Sequence, residues 1–298
     1  MTGQSPRAGA AEIVLLLCLA TLWSGSFGFI KVAVETVPPL SVAAGRLTLA
    51  AIVIVAIARA RGLRFPDTPG LWRQFLLLGL FGNALPFALI GWGEVAIDSG
   101  LAAILMAVMP LATLVLAHLF TEDERLNPAR IAGVALGFGG VVVLMGPAAL
   151  KGLGGQVLGQ VAVAGGAVCY AISTVIAKRL PKMPHLSSSA GTLIAAAALS
   201  LPVSLLVDRP WALQPSAASL WSVAILGLFP TALALMVYYA LLRRTGATFI
   251  ALNNYLIPGL GVLWGALFLG ELPTPRVFAA LGLIMAGIAV TRIGMRRG

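Results

Sequence analysis

The side chains in this sequence that could do chemistry are few, and almost all of them sit inside apolar runs. Trp23 and Ser26 stand three apart, as do Tyr170 and Ser173, so each pair shares one helical face. Asn83 and Pro86 interrupt a third apolar run, which closes at Trp92. Met106 and Met109 precede Pro110 in a fourth run, Tyr238 and Tyr239 lie in an eighth, and Asn253, Asn254 and Tyr255 precede Pro258 in a ninth. A neutral amide can bind an ammonium or a carboxylate, and a Met thioether adapts to side chains of varied shape. Proline removes a backbone donor and frees the carbonyl one turn earlier, so Pro86, Pro110 and Pro258 are expected to kink their helices, the last exposing an acceptor near Asn254. This set suits the binding of a small zwitterionic or amphipathic molecule. The competing reading is structural: asparagines bonding across helices for about 0.6 kcal/mol on average, and Trp and Tyr anchoring at an interface.

Arg46 lies about two turns inside the second apolar run, where a lone charge costs roughly 2.5 to 3.5 kcal/mol on an insertion scale. It requires a partner or water, and Glu35 and Glu94 are the carboxylates expected within reach. Snorkelling to the membrane face is the alternative.

Catalytic equipment is missing. HExxH, GxSxG and GxxxxGK do not occur, and His118 and His185 have no evident Ser partner. Cys18 and Cys169 fall inside apolar runs without metal-ligand spacing. No cofactor and no metal are expected, and enzyme activity is not. The ten acidic residues fall in loops or near helix ends, leaving no mid-membrane carboxylate to relay protons, so facilitated movement down a gradient is expected. A membrane scaffold or a channel would fit the same composition.

These residues need helices to hold them. The 298 residues are 59% hydrophobic and 10% charged, a balance suited to a polytopic helical membrane protein. With about 20 apolar residues per crossing, ten helices are predicted: Ala11 to Val34, Leu40 to Ala58, Trp72 to Trp92, Ser99 to Leu119, Ala129 to Gly146, Val157 to Ala177, Ser187 to Val207, Ala218 to Leu242, Ala247 to Leu269 and Pro275 to Thr291. The first is read as a membrane helix rather than a signal peptide, since no small-residue cleavage site precedes Lys31. The net charge of +10 comes from short basic clusters between the runs, which argues against nucleic acid and for topology. With a cytoplasmic N-terminus, 15 of the 20 Lys and Arg residues fall on the cytoplasmic side, and both termini end there. The partners expected are the lipid bilayer and a small-molecule substrate; a monomer is compatible with that arrangement.

The sequence also matches itself. A shift of 147 places Trp23 on Tyr170, Ser26 on Ser173, Lys31 on Lys178, Glu124 on Glu271, Pro128 on Pro275 and Gly140 on Gly287. A shift of 148 places Gly79, Leu80 and Phe81 on Gly227, Leu228 and Phe229, and Pro110 on Pro258. The chain thus divides into units 1–150 and 151–298 of five helices each, and an odd number makes the second enter the membrane from the opposite side. Gly133 with Gly137, and Gly261 with Gly265, are spaced for close helix approach.

On these elements, including the Leu22-Trp23-Ser24-Gly25-Ser26 stretch, the chain resembles the EamA-type drug/metabolite transporters, in which each half ends in a Pro-bearing fourth helix, a Glu-containing loop and a Gly-rich fifth helix. Within them it looks closest to the YddG-type exporters of aromatic amino acids. The resemblance implies an all-α, ten-helix protein of a bacterial-type inner membrane: two inverted five-helix repeats around a central cavity, working by alternating access without ATP hydrolysis. It implies export of amino acids, aromatic ones first and Met or Thr next. Nucleoside, sugar-nucleotide and cationic drug carriage stay open, because one fold serves many substrates.

Overall fold

In lipid every backbone N–H and C=O must find its partner within the segment, so long runs of Leu, Ala, Val and Ile become helices. A computed structural model of the chain describes residues 9–63, 68–120, 128–145, 155–177, 179–181, 183–245, 247–250 and 252–296. Among these, the regular structure is entirely helical. The spans are α1 (Ala10–Ala33), α2 (Pro39–Ala60), α3 (Pro69–Ala96), α4 (Ser99–Phe120), α5 (Pro128–Met145), α6 (Gly155–Ala177), α7 (His185–Val207), α8 (Ala217–Leu241, running on to Thr245), α9 (Asn253–Leu269) and α10 (Pro275–Arg296). Seven of the described helical spans are long and apolar enough to cross a bilayer, and α5, α9 and α10 carry the shorter apolar stretches Ile131–Leu144, Leu256–Leu269 and Pro275–Val290.

Four spans depart from regular helix. In α4 the helix breaks at Met106 and Ala107; Pro110 has no N–H to offer the Met106 carbonyl, which accepts from Met109 N at 3.0 Å. The run expected from Ala247 begins instead as a separate turn, Ala247–Ile250, ahead of α9. Both α3 and α8 contain π-helical turns, at Leu80–Ala84 and Gly227–Leu233, the second beginning on its Gly-Leu-Phe repeat and the first one residue into it. Their polar residues behave alike: Asn83 Nδ2 donates to Leu78 O at 3.5 Å, and Thr231 Oγ1 donates to Leu226 O at 2.7 Å, each reaching five residues back.

Hydrogen bonds group the helix connections at one end of the bundle. Lys31 Nζ, at the end of α1, donates to the carbonyls of Glu94 and Ile97 at the end of α3, both at 2.8 Å. Thr36 Oγ1 donates to Ser219 Oγ at the start of α8 at 2.7 Å, and Ser41 at the start of α2 donates from N and Oγ to Asp208 Oδ2 beyond α7 at 2.8 and 2.7 Å. The Glu271 carboxylate, between α9 and α10, accepts from Ser99 N, Gly100 N and Ser99 Oγ at 2.7, 2.9 and 3.0 Å, capping the N-terminus of α4. The opposite end carries the start of α1 and the end of α8, joined by Glu12 Oε1 and Arg244 Nη1 at 3.6 Å.

Glycines let the helices close on one another. A Cβ on Gly287 of α10 would fall 2.5 Å from Gly137 N and 2.6 Å from Gly133 O of α5, so this pair is packed backbone to backbone. A Cβ on Gly261 would strike Ala103, and one on Gly265 would strike the Glu271 carboxylate, which explains how α9 lies so close to α4.

Candidate substrate cavity

The broken helices and the π turns face a common space. A cavity of about 630 Å³ lies between α1, α3, α4, α6, α8 and α9, with single residues contributed by α2, α7, α10 and the turn Ala247–Ile250. This volume falls within the roughly 300 to 1,000 Å³ of small-molecule sites. Toward the bonded end the wall stops at Ile30, Ile90 and Met106; toward the other it reaches Thr174, Tyr238 and Ile288.

The structure brings together Trp23, Ser26, Arg46, Asn83, Met106, Met109, Pro110, Tyr170, Tyr238, Asn253, Asn254 and Pro258 on this wall. Trp23 and Tyr238 lie with ring centroids 5.9 Å apart, and Tyr170 meets Phe87 edge-on at 6.4 Å. The wall therefore carries aromatic faces from both halves of the chain. The Ser26 hydroxyl donates to Trp23 O at 2.6 Å, so toward the cavity it offers acceptor lone pairs. Asn253 is 2% exposed, and neither its amide nitrogen nor its oxygen has a hydrogen-bond partner among the described residues.

Four of the sequence-derived residues stand elsewhere. Trp92 is 51% exposed near the bonded end of α3, the placement of an interfacial anchor rather than a cavity wall. Ser173 donates to Tyr170 O at 2.9 Å and lies where a Cβ on Gly82 would meet it at 3.3 Å, so it packs α6 on α3. Tyr239 stacks on His185 of α7 at 4.7 Å. Pro86 is buried beside the π turn of α3, its carbonyl facing Gly166 of α6. The Tyr255 side chain lies outside the described residues. Consecutive positions on a helix point about 100° apart, and in α8 that turn carries Tyr238 to the cavity and Tyr239 to α7.

Arg46 corrects a further expectation. It is 4% exposed and forms no ion pair with Glu35 or Glu94. Nε and Nη2 donate instead to Thr231 Oγ1 at 3.2 and 3.0 Å, and Cζ lies 3.7 Å from the centroid of the Phe87 ring. Glu94 is fully buried, and its carboxylate oxygens have no hydrogen-bond partner among the described residues.

Among the wall residues that reasoning from sequence passed over, Phe87 and Thr231 are the two that hold Arg46. A signal for Thr231 existed: the 148-residue register that aligns the Gly-Leu-Phe repeats also places Asn83 on it. Phe87 is one phenylalanine among twelve, and nothing local sets it apart.

A bundle of apolar helices, seven of the described ones long enough to cross a bilayer, around a polar and aromatic cavity defines a polytopic membrane protein with room for a small molecule. The profile of the EamA-like transporter family matches residues 10–146 and again 157–293, and the chain belongs to that family. It is therefore a transporter and not an enzyme. Among curated relatives, the "Uncharacterized inner membrane transporter YedA" of Escherichia coli K12 is 26% identical over 280 residues, covering 94% of this chain and 90% of its own. The "Probable terminal-alkyne amino-acid exporter" of Streptantibioticus cattleyicolor is 28% identical over 297 residues, covering 98% and 97%. One solved crystal structure superposes with a TM-score of 0.68 at 25% identity, covering 97% of this chain and 99% of its own.

Proposed function

We propose that this transporter exports small amphipathic amino acids, aromatic ones among them, across a bacterial-type inner membrane by alternating access. The observation that carries the reading is the cavity itself: aromatic, Met and amide side chains around about 630 Å³, shut toward one end by hydrogen bonds between the two halves. An apolar side chain stacks on Trp23, Tyr170 or Tyr238. The polar head of the same molecule is met by amides, hydroxyls and one guanidinium.

The units 1–150 and 151–298 act as inverted repeats. The double match to one family profile supports this, as do the paired π turns and the placing of the α2 start and the α7 end on one face. In such a pair, exchanging the conformations of the halves exchanges the side to which the cavity opens. Both termini are cytoplasmic, following the basic residues, so the bonded end faces outward and the described state is open inward. Movement is facilitated, with no obligate proton gradient.

Counterflow in proteoliposomes tests this. Vesicles preloaded with unlabelled phenylalanine should accumulate labelled phenylalanine saturably at equal pH on both sides. Flux that requires a pH gradient would overturn the facilitated mode, and the absence of flux for every amino acid would overturn the substrate class.

A further inference from the structure

We infer that Arg46 is the carboxylate anchor of the cavity, so that the protein selects small monoanions and zwitterions carrying a carboxylate over their amides and amines. This rests on the carrier reading above and names the group by which the substrate is held.

Arg46 is the charged residue among those described on the cavity wall. Its guanidinium is fixed in position but not saturated. Thr231 gives its own proton to Leu226 O, which turns its lone pairs to Arg46 Nε and Nη2. Phe87 lies over Cζ and sets the plane. Nη1 receives no acceptor from the described residues, and Nη2 keeps a second proton, so the edge spanning these two nitrogens is available. That edge matches the two oxygens of a carboxylate.

Among the described residues, no carboxylate lies within ion-pair contact of this guanidinium. Glu35 is exposed, Glu94 forms no ion pair, and the polar residues sharing the wall, such as Asn83, Asn253 and Asn254, are neutral. An unpaired guanidinium this deep is costly, and one carboxylate would neutralise it. A phosphate monoester would bring a second negative charge with nothing to meet it. Held by Thr231 of α8 and Phe87 of α3, the anchor sits where residues 1–150 meet residues 151–298.

The test is binding to purified protein in nanodiscs, by calorimetry, with acid, amide and amine forms built on one aromatic and one short aliphatic side chain. The wild type should prefer acid over amide by about 10-fold or more, the usual weight of a charge-assisted hydrogen bond. R46Q should reduce that preference to within about 3-fold, while T231V, which keeps the charge, should retain it. If R46Q does not fold, R46K decides: losing the planar fork and the Phe87 stacking should cut the preference at least about 3-fold. A wild type that binds amide as tightly as acid overturns the inference, as does a folded R46Q that keeps the full preference or an R46K equal to wild type. Arg46-dependent preference without counterflow of any acid would leave the anchor standing and remove the carrier reading.

Discussion

Replacing Glu271 with Ala should open the bonded end of the cavity. Its carboxylate accepts three hydrogen bonds, at 2.7, 2.9 and 3.0 Å, from the first residues of α4, and two of the donors are otherwise unsatisfied N–H groups of a helix N-terminus. Three charge-assisted bonds would sum to more than the true effect, because water takes over these donors when the end opens. Counting one such bond at about 1.5 to 2 kcal/mol and the helix-terminus interaction at about 0.5 to 1 gives about 2 to 3 kcal/mol. That amounts to a shift of roughly 30- to 150-fold in the ratio of closed to open forms. The assay is labelling of Cys at position 106, introduced on the cavity wall with Cys18 and Cys169 replaced, by an impermeant maleimide given from the side of the α3–α4 connection. E271A should raise the labelling rate by at least about tenfold, and E271Q, which keeps an acceptor but no charge, should fall between it and the parent. An unchanged rate in a folded E271A protein, still labelled normally from the opposite side, would refute the idea that this carboxylate holds the end shut.

Gly265→Ala should act like E271A in the same assay, because a methyl group at that position occupies the space of the Glu271 carboxylate. Lys31→Met removes the two 2.8 Å bonds to the carbonyls of Glu94 and Ile97 and should raise labelling from the same side, about 5- to 30-fold for a loss of 1 to 2 kcal/mol. Gly287→Ala forces α10 away from α5 and should lower stability by about 1 to 3 kcal/mol, read as a drop in thermal unfolding temperature in nanodiscs. Trp264→Phe loses the 2.9 Å bond from Nε1 to Ser24 Oγ; its expected cost is about 1 kcal/mol with counterflow intact, so a loss of flux would show a role beyond packing.

The spans were legible because lipid imposes a length and an apolarity on each of them, and both are written locally in the sequence. Pro110 likewise marked where α4 departs from regular helix, since a missing N–H acts on its own turn. Depth along each helix identified the polar residues with access to a central space. Azimuth was less legible: Tyr238 and Tyr239 are equally deep, yet one lines the cavity and the other stacks on His185. Ser173 matched Ser26 by repeat, but the approach of Gly82 closes α6 over it.

By itself, then, the sequence determined an all-helical membrane transporter of ten apolar runs and the residues that such a bundle cannot turn toward lipid. The tertiary structure decided which of those residues meet. Arg46 was expected to meet a carboxylate or water or to snorkel outward, and it finds Thr231, 185 residues away, with Phe87 against its face. Glu271 was a loop residue in the repeat and becomes the cap of a helix 171 residues earlier in the chain. Hydropathy fixes how deep a residue lies, because lipid acts on each segment separately. Pairing across helices depends on how each helix is rotated about its axis, which only the packing of its neighbours sets.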